Sequence, residues 1–285
     1  MSAHYTIQHR LHFHYTDPIW GSSMTLYVHP IQDGAQVLRN FSLKTTPDGA
    51  VFHFTDCFGN QAHFFDRPEY HKELIIEISS AVEINASPRQ NLDPLGTEGW
   101  EILKAAREDS TLWPFLHPSR FVHWPKTLEK FMTRHELHPK DNPLESAQDL
   151  CTRLHNIFDY TPGSTQADSS IDSILETGQG VCQDYAHVMT SILRHWGIPC
   201  RYISGHLGPQ QEGESHGECH AWVEAWFGPL GWRGFDPTND TPVDKHHIRV
   251  AVGRDYADVP PARGVFQGAA GSHLETNVTA MRITP

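Results

Sequence analysis

GQGVCQDYAHVMTSILRHWG, residues 178–197, is the stretch on which the reading of the whole chain turns. Tyr185, Ala186, Met189, Ile192, Leu193 and Trp196 recur at steps of three and four, the spacing of one buried helix face. Cys182 stands ahead of that stripe, in what the spacing predicts is the first turn. A cysteine there has two readings. It is a small apolar filler, as most thiols are, or it is a nucleophile whose thiolate form is favoured by the partial positive charge of a helix start.

The composition narrows the field. The 285 residues suffice for two compact units with a substantial core. Hydrophobic residues at 38% and aromatics at 11% describe an ordinary folded protein. A formal charge of −12 with no basic run argues against a nucleic-acid partner or an anionic membrane surface, both of which need clustered cations. No apolar stretch approaches the roughly 20 residues of a membrane helix. The opening MSAHYTIQHRLHFHY alternates at once, without the apolar centre of a signal peptide. A cytoplasmic location is therefore expected. Cys57, Cys151, Cys182, Cys200 and Cys219 form an odd, scattered set without CxxC spacing, which reads as reduced thiols.

The chain carries 21 histidines. His12 and His14 are spaced as on one strand face, and His216, Cys219 and His220 cluster in sequence. Neither set has a recognisable zinc spacing. They read as structural, so no metal and no cofactor is expected, with a metal protein built from these histidines as the weaker alternative.

Residues 1–88 read as an N-terminal antiparallel β-sandwich, from alternating runs separated by TDP, DGA, TPDG and FGN turns. Residues 89–144 form a connecting segment of loops and short helices, with ASPRQNLDPLG loop-like and WEILKAAREDS helical. Residues 145–285 form the second domain. There LESAQDLCTRLHNIFDY has helical spacing and puts Cys151 on its apolar stripe. The period then switches from 3.6 to 2. PCRYISGHL reads as a strand, GPQQEGESHGE as a polar loop, and CHAWVEAWF with GWRGFDPT as an antiparallel hairpin. The fold class is α+β, with the cysteine helix packed on an antiparallel sheet.

Thiol catalysis needs a thiolate, an imidazole to exchange protons with it and a polar group to orient that imidazole. Cys182, His220 and Asp236 are the candidates. The 16-residue step from 220 to 236 suits a hairpin that sets a carboxylate beside an imidazole on the next strand. Alternation groups His220, Trp222, Glu224 and Trp226 on one face and Cys219, Ala221, Val223 and Ala225 on the other, which makes Cys219 a poor nucleophile. Each element alone has a structural reading, and the spacing leaves catalysis and packing open.

GVCQDYAHVMTSILRHWGIPCRYISGH, HAWVEAWF and GWRGFDPT, in that order, closely resemble the bacterial transglutaminase-like family of papain-like thiol enzymes. HIRVAVGRDYADVPPARGVFQG and the DCFGN segment extend the likeness over most of the chain; it is weakest over 86–144. The resemblance implies a papain-like core behind a β domain, with Cys182 as nucleophile, His220 as base and acid, and Asp236 as the orienting residue. Trp222, Glu224 and Asp184 are candidates for site support, each with an alternative as core packing, ion pair or helix-start acid. Arg254, Asp255 and Asp258 are expected in a salt-bridged loop near the cleft. The implied activity is hydrolysis of a peptide or carboxamide bond through a thioester, on a peptide, a protein or a small amide. The alternatives are acyl transfer from protein glutamine to an amine, or a non-catalytic module holding a peptide in the same cleft.

Overall fold

The computed structural model describes residues 2–85, 95, 98–217 and 219–283. In chain order the strands begin with β1 (Ala3–Leu26), β2 (Gln36–Thr46), β3 (Phe52–Thr55), β4 (Gln61–Arg67) and β5 (His71–Ile84). Helices α1 (Gly99–Ala105), α2 (Lys126–Arg134) and α3 (Pro143–Ile157) follow. The short β6 (Asp159–Tyr160), α4 (Ile171–Thr177), β7 (Gln179–Gly180) and α5 (Cys182–His195) come next. The remaining strands are β8 (Cys200–Leu207), β9 (Gly213–Gly217), β10 (His220–Trp226), β11 (Trp232–Asp236), β12 (Thr241–Pro242), β13 (His247–Gly253), β14 (Ala262–Gln267) and β15 (Ser272–Ile283).

The N-terminal β unit, expected as an antiparallel sandwich, is built from one antiparallel sheet that curls on itself. The long β1 pairs with β5 and β15 through its first half and with β4 and β14 through its second. Strands 262–283, read from sequence as part of the second domain, belong to this sheet. So does β9, which lies in the segment expected to be a polar loop and pairs with β15. The partners of β14 and β15 on β1 lie more than 200 residues away and those of β9 on β15 more than 60, so no local periodicity announces them. The loop expected over 86–96 lies outside the described residues except for Leu95.

The second unit is a five-stranded antiparallel sheet in the order β12-β11-β10-β8-β13, with α5 across it. The expected hairpin is present, with Val223 opposite Phe235 and Trp226 opposite Trp232. Helix α3 starts where Asn142 caps it, its side chain accepting from the Leu144 amide at 2.8 Å with Pro143 in the first turn. Cys151 is buried on its apolar face as expected. Helix α5 goes beyond its expected stripe: every residue from Asp184 to Arg194 is buried. It is wedged between the sheet and α3 and α4, and a helix enclosed on all sides has no solvent face to keep polar. The Arg194 guanidinium in its last turn accordingly donates to the carbonyls of Cys200, His117 and Arg254.

Candidate active site

The start of α5 is built so that Cys182 faces open space. Val181 occupies the cap position in extended conformation and has no side-chain oxygen to offer the first-turn amides. Asp184 instead reaches back, its Oδ2 accepting from the Val181 N–H at 2.8 Å and from Thr165 Oγ1 at 2.6 Å. Burial raises the Asp184 carboxyl pKa, against the opposing pull of these two bonds. Asp184 is thus a buried anchor for the helix start and for the loop beside it. A Cβ at Gly180 would stand 2.5 Å from Ile174 Cδ1 and 3.0 Å from Asp184 Cβ, so a larger residue would have to push these side chains aside.

His220 opens β10, and Asp236 closes β11. In the hairpin register Trp222 faces Asp236, which makes His220 the diagonal neighbour of that carboxylate on the same face. His220 Nε2 lies 2.8 Å from Asp236 Oδ2. Cys182 lines the same cleft as His220 and acts on its imidazole in favour of the charged form. Burial works against the charged imidazole, but Asp236 and Cys182 outweigh it and push the pKa up to about 10. The structure therefore brings Cys182 and His220 to one cleft, with Asp236 bonded to the imidazole.

Asp236 is fully buried and heavily bonded. Burial opposes its ionisation, but hydrogen bonds from His220, His247 and Asn239 prevail and hold the carboxyl below the usual range. Its Oδ1 also accepts from the Thr238 amide at 3.0 Å, and Asn239 Nδ2 donates to Oδ2 at 2.7 Å. The turn carrying these donors is tied to α3, through Thr152 Oγ1 to Asp240 Oδ1 at 2.7 Å and His155 Nδ1 to the Thr238 carbonyl at 2.9 Å. His247 and Asn239 were not found by sequence reasoning. The only available signals were the polar run after DPT and a histidine pair at 246–247, and neither specifies a partner.

The remaining candidates fall into structural places. Trp222 is buried with Ile203 and Val252, its ring edge-on to His247 at 5.2 Å. It backs the imidazole that holds Asp236. Glu224 pairs with Arg201 at 2.6 Å and lies 3.8 Å from Arg249; it is not among the residues lining the cleft. Arg254 and Asp258 form the expected ion pair at 2.8 Å, whereas Asp255 accepts instead from the amides of Phe121 and Ala257. That loop is pressed on α5 through His187, whose Nε2 accepts from the Tyr256 amide at 3.2 Å.

Cys182 and His220 line a cleft of about 430 Å³. Tyr160, Tyr202 and Tyr256 form aromatic walls, and Leu11, Leu274 and Thr276 bring the β unit to its edge. Cys219 also borders the cleft, with its sulfur 3.9 Å from His9 Nε2. Cys151 and Cys200 are buried, and burial raises both thiol pKa values, Cys200 to about 12. Among the described residues, Cys182 is the thiol that acts on an imidazole–carboxylate pair.

A helix-borne thiol set against a hairpin-borne histidine and aspartate defines a papain-like arrangement. The chain belongs to the transglutaminase-like superfamily. Residues 132–237 match that superfamily's core, and residues 5–83 match the bacterial transglutaminase-like N-terminal region. It is 31% identical to an uncharacterized protein of Mycobacterium leprae, over 97% of this chain and 98% of that one. A protein-glutamine gamma-glutamyltransferase of Pseudomonas aeruginosa is 37% identical over 92 residues, covering 30% of this chain and 14% of that protein. The crystal structure of a candidate cysteine protease from Cytophaga hutchinsonii superposes with a TM-score of 0.75 at 23% identity, over 97% of this chain and 90% of that one. That likeness is one of fold.

Proposed function

We propose that the protein is a thiol acyl-transfer enzyme that hydrolyses a peptide or carboxamide bond through a thioester on Cys182. The observation that carries this reading is the position of His220, bonded to Asp236 at 2.8 Å and lining the same cleft as Cys182. The bond to Asp236 fixes the ring and leaves its second nitrogen for the sulfur. Sulfur attacks the substrate carbonyl, and the charge that develops on oxygen is met by the Cys182 amide, a helix-start donor without an intrahelical acceptor. His220 then gives its proton to the departing amine. In the second half His220 takes a proton from water, which attacks the thioester and releases the acid.

Transfer to an amine instead of water is the second reading, and the 92-residue match to a protein-glutamine gamma-glutamyltransferase favours it. A binding module is disfavoured because binding alone has no use for an oriented imidazole beside a thiol. A reducing, cytoplasmic setting is part of the proposal, since it would keep Cys182 as a thiol.

The test is mass spectrometry of Cys182 after incubation with glutamine-containing peptides, with and without an added amine. A transient acyl adduct on Cys182, absent in Cys182→Ala, is expected, followed by release of the acid. Amine incorporation in place of acid would turn the assignment to transglutamination. Loss of iodoacetamide labelling at mildly acidic pH in Cys182→Ala is the companion result, and rapid labelling that persists there would overturn the choice of nucleophile.

A further inference from the structure

We propose that His12, His14 and Glu275, with Glu73 beside them, form a divalent metal site of the zinc class on the outer face of the β unit. Alternation along β1 puts His12 and His14 on one face, while Leu11 on the other face turns toward the cleft. The antiparallel registers bring two carboxylates to the same face. His12 lies opposite Glu275 on β15, and His14 lies opposite Glu73 on β5. Three strands thus deliver two imidazoles and two carboxylates to one spot.

The side chains converge there. The two imidazole rings lie 3.7 Å apart between centroids. Donor atoms of His12, His14 and Glu275 all fall within 4.8 Å of one another. His14 Nε2 is 3.7 Å from Glu275 Oε2, and His12 Nε2 is 3.4 Å from Glu73 Oε2. Tetrahedral zinc with bonds near 2.0–2.1 Å spaces its donors about 3.4 Å apart, so modest rotations of the exposed carboxylates complete the geometry. His12 Nε2 is buried, and it has no hydrogen-bond partner among the described residues despite the nearby Glu73 oxygen. A buried imidazole nitrogen without a hydrogen bond is costly, and a metal would satisfy it.

The donor set selects the ion. Two imidazoles with carboxylates suit zinc and its first-row neighbours, whereas calcium and magnesium prefer all-oxygen cages and copper(I) prefers sulfur. The bound ion would tie β15 and β5 to β1, clamping the C-terminal strand to the N-terminal one.

The experiment uses full-length untagged protein carrying Cys182→Ala, which removes the active-site thiol as a competing ligand. Zinc is titrated against a chromogenic chelator, and thermal unfolding is followed with and without zinc. One equivalent of tightly bound zinc and a Tm rise of about 5 °C at saturating metal are expected, both lost when His12→Asn and His14→Asn are added. Unchanged stoichiometry in that variant, no binding tighter than about 100 μM, or an equal Tm rise with calcium would overturn the proposal. Should the histidine variant misfold, the exposed pair Glu73→Gln and Glu275→Gln decides instead. An affinity at least tenfold weaker is expected, and an unchanged one would overturn the site.

Discussion

His247 Nε2 stands 3.3 Å from Asp236 Oδ2, the same oxygen that takes His220. One buried carboxylate thus serves two imidazoles, and His247 in turn lies 3.2 Å from Asp244. Asp236 is therefore held in place by a histidine that never touches the cleft. His247→Gln should lower kcat roughly 10-fold or more while KM changes little, because a loosened carboxylate disorders His220 without altering the cleft walls. A steady-state split on any amide substrate turned over by the wild type checks this; a change confined to KM would place His247 elsewhere in the function.

Asp236→Asn should be costly for stability as well as for turnover. It removes the charge that two imidazoles share, and leaving one side of such a buried pair uncompensated typically costs about 3–5 kcal/mol. Denaturant unfolding at neutral pH measures it. A loss below about 1 kcal/mol would mean that Thr238 and Asn239 alone satisfy the site.

His220 and Asp236 make stability depend on pH in opposite directions. His220 is raised from 6.5 to about 10 in the folded protein, so the native state binds the extra proton between those values. Its contribution to stability is fully present below about 6.5 and is lost as pH climbs through 10. His247 is raised too and acts in the same direction. Asp236 is lowered, so its contribution is present above the ordinary carboxylate range and is lost as pH falls below it. Stability should decline on both sides of a slightly acidic optimum. In Asp236→Asn the alkaline decline should flatten, which unfolding curves across pH 5–10 will show.

The sulfur is one of the two partners that raise His220. In Cys182→Ala its imidazole should titrate clearly below the wild-type value, with Asp236 still bonded. NMR titration of the histidine ring protons measures this directly. An unshifted His220 would mean that sulfur and ring do not interact in solution.

Gly205→Ala should destabilise the sheet under the site. The added Cβ would stand 2.3 Å from the Ile248 carbonyl oxygen and 2.4 Å from the Trp222 ring. Overpacking of this kind costs about 1–3 kcal/mol, and displacing Trp222 would reach His247 as well. A thermal scan that matches wild type would show that the two strands separate without penalty.

Much of this was legible along the chain because it depends on short-range geometry. A period of 3.6 places the residues of α5, a period of 2 places those of β10, and a tight turn returns β11 at a computable offset. Cys182, His220 and Asp236 could therefore be singled out from residue type and spacing, with the family likeness of the motifs around them. Tertiary structure alone decided the rest. That residues 262–283 close the N-terminal sheet, that His247 and Asn239 share Asp236, and that Glu73 and Glu275 meet His12 and His14 all depend on pairings between distant strands. Such pairings are chosen by how whole faces fit together, and a one-residue slip in register would bring different side chains face to face, so they leave no trace in local periodicity.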